Sequence, residues 1–148
     1  MKLKFEITID ASLDKVWAAF DNPDNMKKWQ PSLDSFTPVS GIPGQPDAVS
    51  ELVYRENGRK IIMTETITER RKPDFLAGIY ETEFGKTLVV NRFESIDDNT
   101  TRWQSWCNFK FRGVMRFFCL FLAGSIRKRT EADMGRFKLL VETENASE

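Results

Sequence analysis

The chemistry open to this chain is narrowed first by what it lacks. Its 148 residues include no histidine and only two cysteines, Cys107 and Cys119. That removes the commonest general acid/base and the commonest metal ligand, and two thiolates cannot by themselves make a zinc site. No phosphate-cradling glycine loop, nucleophile elbow or dinucleotide fingerprint is present. No metal and no cofactor is therefore expected, and proton transfer would fall to carboxylates, tyrosines or arginines. The pair that stands out is Glu65 with Tyr54. Glu65 lies in a strand-like stretch over 60–69, where a period of two sets it on the same side as Ile61, Met63 and Ile67. If that side is concave, Glu65 is a carboxyl among apolar groups and needs a raised pKa or a specific partner. If the strand is turned the other way, or a structural arginine meets it, Glu65 is an ordinary ion-pair residue. A slip of one residue decides between the two.

The same alternation supplies the neighbours. Leu52 and Tyr54 share a side on an earlier strand; Val89, Asn91 and Phe93 on a later one; Trp103, Ser105, Cys107, Phe109 and Phe111 on the last. Tyr80, on the strand over 75–84, is a further candidate that alternation does not fix. Together with Phe118 and Leu122 from the helix beyond, the candidate lining is Tyr54, Met63, Glu65, Tyr80, Asn91, Phe93, Trp103, Ser105, Cys107, Phe118 and Leu122. The aromatic members are equally readable as plain core, although a buried Tyr or Trp wants one polar partner.

The elements that must position these residues follow from periodicity. A strand over 2–10 places Leu3, Phe5, Ile7 and Ile9 on one face. Ser12 then stands at an N-cap position before Leu13, Val16, Trp17 and Phe20, spaced as one face of a short helix. A helical turn over 23–28 brings Trp29 onto the core before Pro31. A strand over 33–39 leads into a breaker-rich loop over 41–47, and five more strands are expected at 48–56, 60–69, 75–84, 86–96 and 101–111. The separators are short, and Asn57-Gly58 is a hairpin turn signal.

The chain closes with one long helix over 113–142, about 45 Å in length. Met115, Phe118, Cys119, Leu122, Ile126, Thr130, Met134, Phe137 and Val141 form its inward stripe. Its first half also carries Val114, Phe117, Leu120 and Phe121 on the other side, so it is apolar all round. Gly113, Gly124 and Gly135 share a side and either admit a close neighbour or are weak spots. A polar tail after about residue 144 is expected to fray. An antiparallel meander has one face to bury, and this helix is the one element long enough to bury it. A twisted sheet curling around it can leave a hollow.

Length and composition fit one domain over 1–148. Formal net charge is zero, which argues against a nucleic-acid partner of the basic kind. The cations Arg102, Lys110, Arg112, Arg116, Arg127, Lys128 and Arg129 nevertheless fall in a stretch, 99–130, that holds no acidic residue. This is either a field for an anionic surface or a solvated face balanced in space. Apolar-set cysteines suggest a reducing compartment, and the alternating N-terminus does not read as a signal peptide, so a cytoplasmic location is expected. No apolar run reaches the roughly 20 residues of a spanning helix. The glycosylation-type matches at Asn99 and Asn145 are then coincidental.

Ser12 with Val16-Trp17, Asp21-Asn22-Pro23 ahead of Trp29-Gln30-Pro31, the Gly41/Gly44 loop, Pro73 between two strands and the basic amphipathic C-terminal helix together resemble the START-like, or SRPBCC, superfamily of polyketide cyclase/dehydrase and lipid-transport proteins. The resemblance spans nearly the whole chain. It implies an α+β helix-grip fold, with a curved antiparallel sheet of six or seven strands around a long C-terminal helix and two short helices after the first strand. It also implies a largely apolar cavity between sheet and helix that binds lipids, sterols, polyketides or similar molecules, with chemistry in only some members. No catalytic set is common to the superfamily, so none is carried over. The leading expectation is a non-catalytic carrier or sensor of a hydrophobic small molecule. The alternative is a cyclase or dehydratase using Glu65 and Tyr54. A third reading makes Phe117, Leu120 and Phe121 a contact for a bilayer or for a second copy in a homodimer.

Overall fold

In a computed structural model of the protein, which describes residues 1–147, β1 (Lys2–Ile9) leads into α1 (Leu13–Asp21), a 3-10 turn (Pro23–Asn25) and α2 (Met26–Trp29). The strands β2 (Leu33–Ser40), β3 (Val49–Glu56), β4 (Arg59–Arg71), β5 (Phe75–Thr82), β6 (Gly85–Asp97) and β7 (Thr100–Phe111) follow as a meander, and α3 (Met115–Ala146) closes the chain. One antiparallel sheet results, ordered β1-β7-β6-β5-β4-β3-β2. Only β1 pairs out of sequence, with β7, so α1 and α2 must carry the chain from one edge of the sheet to the other. This is the α+β helix-grip architecture that the sequence implies.

Local chemistry explains the boundaries. The Ser12 hydroxyl accepts from the Lys15 N–H at 3.4 Å, capping α1. Asn22 does the same for Asp24 at 3.0 Å, with Pro23 starting the next turn. Asn57 and Gly58 both adopt left-handed φ, 51° and 76°, as a two-residue hairpin turn requires. Gly85 opens β6 at φ 151°, and a Cβ there would lie 2.2 Å from the Lys110 carbonyl oxygen. Only glycine fits that crossing.

The core occupies one half of the concave face. Trp17, Phe20, Trp29, Phe93, Trp103 and Phe137 form a continuous aromatic cluster with ring centroids 4.9 to 6.5 Å apart, mostly edge to face. Phe5 and Ile9 from β1 and Met134 and Val141 from α3 complete it. Arg70 of β4 donates to both carboxylate oxygens of Asp21 and lies 5.2 Å over the Trp17 ring, tying the sheet to α1.

α3 departs from its expected stripe along half its length. Met134, Phe137 and Val141 are buried as the spacing predicts. Phe118, expected on the same buried stripe, is 52 % exposed, while Met115, Cys119, Leu122, Ile126 and Thr130 are half-buried. The physical reason is a missing partner surface: α3 packs against β1, β7, α1 and α2, while its ties to the rest begin at Arg127 and Arg129. Periodicity names the side a residue faces but not what lies there. No close neighbour explains the glycines either, since a Cβ added at Gly124 or Gly135 meets nothing within 4 Å. The helix also continues past the expected end at 142, to Ala146. Lys138 donates to the Thr8 carbonyl, the Glu142 carboxylate accepts from the Asp10 N–H, and the Asn145 amide donates to the Asp10 carbonyl.

Candidate functional site

The Asn57-Gly58 turn fixes the β3–β4 register, so that Ser50 faces Glu65, Leu52 faces Met63 and Tyr54 faces Ile61. Between β4 and β5 a bulge at Ile67/Glu69 shifts the pairing and sets Glu65 opposite Tyr80. Tyr80 in turn faces Thr87, and Thr87 faces Phe109. Directly opposed residues point to the same side. Ser50, Glu65, Tyr80, Thr87 and Phe109 therefore form a row across the concave face. A second row runs through Gly78, Val89 and Cys107 to Leu3, and a third through Asn91 and Ser105 to Phe5.

Glu65 is 9 % exposed and accepts a hydrogen bond from the Tyr80 hydroxyl at 2.7 Å. A Cβ at Gly78, on the strand that carries Tyr80, would lie 3.2 Å from the Thr66 carbonyl oxygen and in ordinary contact with the Tyr80 ring. Burial raises the Glu65 pKa, and the hydrogen bond from Tyr80 draws it partly back. The Tyr80 phenol is held well above its usual range by burial first and the Glu65 charge second. Tyr54 is raised likewise, by burial and then by Glu65. Both phenols are donors at any physiological pH. The Cys107 thiol is also raised by burial, with Ser105 partly opposing it at 3.9 Å, which is the opposite of an activated nucleophile.

The expected pairing of Glu65 with Tyr54 is corrected. Glu65 bonds to Tyr80, whereas the Tyr54 hydroxyl donates to Gln30 Oε1 at 2.7 Å, and the two groups sense each other only through their charges. Two registers are responsible: the Asn57-Gly58 turn pairs Tyr54 with Ile61, four residues from Glu65, and the β4–β5 bulge sets Tyr80 directly opposite Glu65. Phe93 and Trp103 stand in the packed aromatic cluster, and Asn91 accepts from the Trp103 indole N–H at 3.0 Å, satisfying a buried donor. Met63, Tyr80, Cys107 and Leu122 are half-buried, and Ser105 is buried. Gln30, Ser50 and Thr87 belong to the site and were not among the expected residues. Ser50 was within reach, because counting outward from Asn57-Gly58 pairs it with Glu65; nothing in the sequence marks Gln30.

The concave face thus divides. One half is filled by the aromatic cluster. In the other, inward-facing Met63, Val89, Cys107, Phe109 and Phe111 remain partly exposed. A crevice of about 40 Å³ opens there between Met63, Tyr80, Thr82, Thr87 and Phe111, large enough for a water-sized or methyl-sized group. A wider opening of about 330 Å³ lies on the other side of the sheet, along Arg71, Asp74, Phe75, Arg92 and Glu94, and carries both signs of charge. Among the described residues no three His, Cys, Asp or Glu side chains are placed to hold a metal ion. Among those same residues, no helix is long and apolar enough to cross a membrane.

Comparison with known proteins accords with this geometry. The chain belongs to the polyketide cyclase / dehydrase and lipid transport family, whose model matches residues 1–142. Among solved structures it is similar to TTHA0849 from Thermus thermophilus, with 13 % identity, a TM-score of 0.81, and coverage of 97 % of this chain and 99 % of that one. It is similar to the Zhui aromatase/cyclase from Streptomyces sp. R1128, with 15 % identity, a TM-score of 0.81, and coverage of 96 % and 93 %. It is also similar to Ara h 8.0201, with 15 % identity, a TM-score of 0.76, and coverage of 97 % and 98 %. At such identities these likenesses speak for the fold alone. A search of curated proteins found no match.

Proposed function

We propose that the protein binds a hydrophobic small molecule between the sheet and the front of α3, with one polar group of the guest meeting Glu65 and Tyr80. The observation that carries this reading is the position of that pair. A buried, hydrogen-bonded carboxyl sits on the concave face together with apolar side chains, Met63, Val89 and Phe109, that stay partly exposed. Burial raises the Glu65 pKa and so favours the protonated form, which can donate to a carbonyl or hydroxyl, and Met63, Val89 and Phe109 on the same face offer apolar contact. Membership in a family that includes lipid-transport proteins supports a lipid-, sterol- or polyketide-like guest. Free thiols at Cys107 and Cys119 support action in a reducing, cytoplasmic compartment.

The test is uptake of fluorescent fatty acids, sterols and aromatic polyketides by the full chain, alongside native mass spectrometry for co-purified guests. Glu65→Gln is expected to keep the fold and weaken binding of polar-headed probes by about tenfold, the loss of one charge-capable hydrogen bond. No uptake of any class would end the proposal. A cyclase or dehydratase is the second reading, favoured by the raised Glu65 pKa next to a tyrosine donor, a combination suited to general acid catalysis. It requires turnover of an acyl or polyketide substrate that Glu65→Gln abolishes while binding persists.

A further inference from the structure

Among the described residues, the front of α3 carries a face with no partner. Val114, Phe117, Leu120 and Phe121 are 69, 82, 81 and 82 % exposed. Steps of three and four bring Val114, Phe117, Phe118 and Phe121 to one side of the helix. A run of large apolar side chains this exposed is uncommon on a protein that stays in water. Around it the charge is mainly positive. Arg116 lies on the same helix turn and Arg112 just past the end of β7, while Lys110 and Lys86, opposed across β7 and β6, add positive charge on the other side of the sheet. The acidic groups of the adjoining β5–β6 turn are Glu81 and Glu83. Glu81 is shared by Lys86 at 3.2 Å and Arg112 at 3.6 Å, which leaves the rim net positive. Lys128 lies in line with Phe117 and Phe121, two turns beyond Phe121.

We propose that this face docks onto an anionic lipid bilayer, Phe117, Leu120 and Phe121 entering the headgroup–acyl boundary while Arg112 and Arg116 meet lipid phosphates. An amphipathic helix with aromatics flanked by cations is the arrangement that lies in such an interface. Charge selects the bilayer over a second copy of the chain. A two-fold contact through the same face would bring two rims of net positive charge together, with Glu81 already engaged by Arg112 and Lys86. The inference does not depend on what the hollow binds.

Co-sedimentation of the full chain with phosphatidylcholine vesicles, with and without phosphatidylserine, tests it. Binding is expected only when phosphatidylserine is present, and it should fall by about tenfold or more when added salt shortens the screening length. Phe117→Ser with Phe121→Ser should abolish it. Arg112→Gln with Arg116→Gln should weaken it by about tenfold or more. All four positions are exposed, so circular dichroism and melting temperature are expected unchanged. Absence of binding at low salt, or binding indifferent to both double variants, overturns the proposal. So does a dimer in sedimentation velocity that Phe117→Ser with Phe121→Ser dissolves. Uptake of a fluorescent fatty acid dispersed without vesicles, measured on the same variants, should be unaltered, so failure here is distinguishable from failure of the binding reading.

Discussion

Glu65 is held where a carboxylate is poorly solvated, and the consequence is a pH dependence with a definite sign. In the unfolded chain the group ionises near 4.5; in the fold its pKa is raised, chiefly by burial. The stability contributed by the protonated form is complete below 4.5 and is lost as pH climbs through the folded value. Urea denaturation across a pH series should therefore show the wild type losing stability above pH 4.5 relative to Glu65→Gln. Asp133 is also raised by burial, but it is present in both proteins and cancels in the difference. Tyr80→Phe should move this window upward, because the Tyr80 hydroxyl is the group that draws the Glu65 pKa down. It should also cost about 1 kcal/mol of stability. A Tyr80→Phe titration that coincided with the wild type would show the hydrogen bond to be unimportant.

Among the elements, α3 and the β5–β6 turn respond to the same substitution in opposite directions. Gly124→Ala adds a methyl to an exposed helix position where nothing lies within 4 Å. It should stabilise by up to about 1 kcal/mol, by reducing the freedom of the unfolded chain. Gly85→Ala forces its methyl against the Lys110 carbonyl at an unfavourable φ. A loss of roughly 1–3 kcal/mol in thermal or urea unfolding is expected. The elements themselves were largely legible, because alternation, Ser12 and Asn57-Gly58 are local signals. The bulge in β4 was not. Without it, the register from the β4–β5 turn would set Glu65 opposite Glu81; with it, Glu65 meets Tyr80. A single inserted residue carries no compositional mark, which is why the alternation found each face but not the bond across them.

At the scale of the molecule, the packed and unpacked halves of the concave face should differ in local stability. Backbone amides over 116–126, on a part of α3 with few ties to the sheet, are expected to exchange with deuterium well before those over 130–142, which sit on the aromatic core. A guest in the hollow should slow the first group selectively. It should also raise the overall unfolding free energy by about 2.7 kcal/mol at a hundredfold excess over its Kd. Uniform exchange along the helix would contradict this division.

The placement of the aromatic residues also decides how the protein can be watched. Trp17, Trp29 and Trp103 sit inside the cluster, and Trp106, the remaining one, lies on the opposite side of the sheet against Lys4 and Arg92. Of the two tyrosines of the chain, Tyr80 bonds to Glu65, and Tyr54 lies farther along the same face, bonded to Gln30. Indole emission should thus register denaturation while staying nearly silent to occupancy, and phenol absorbance should do the reverse, giving two optical channels that need no added label.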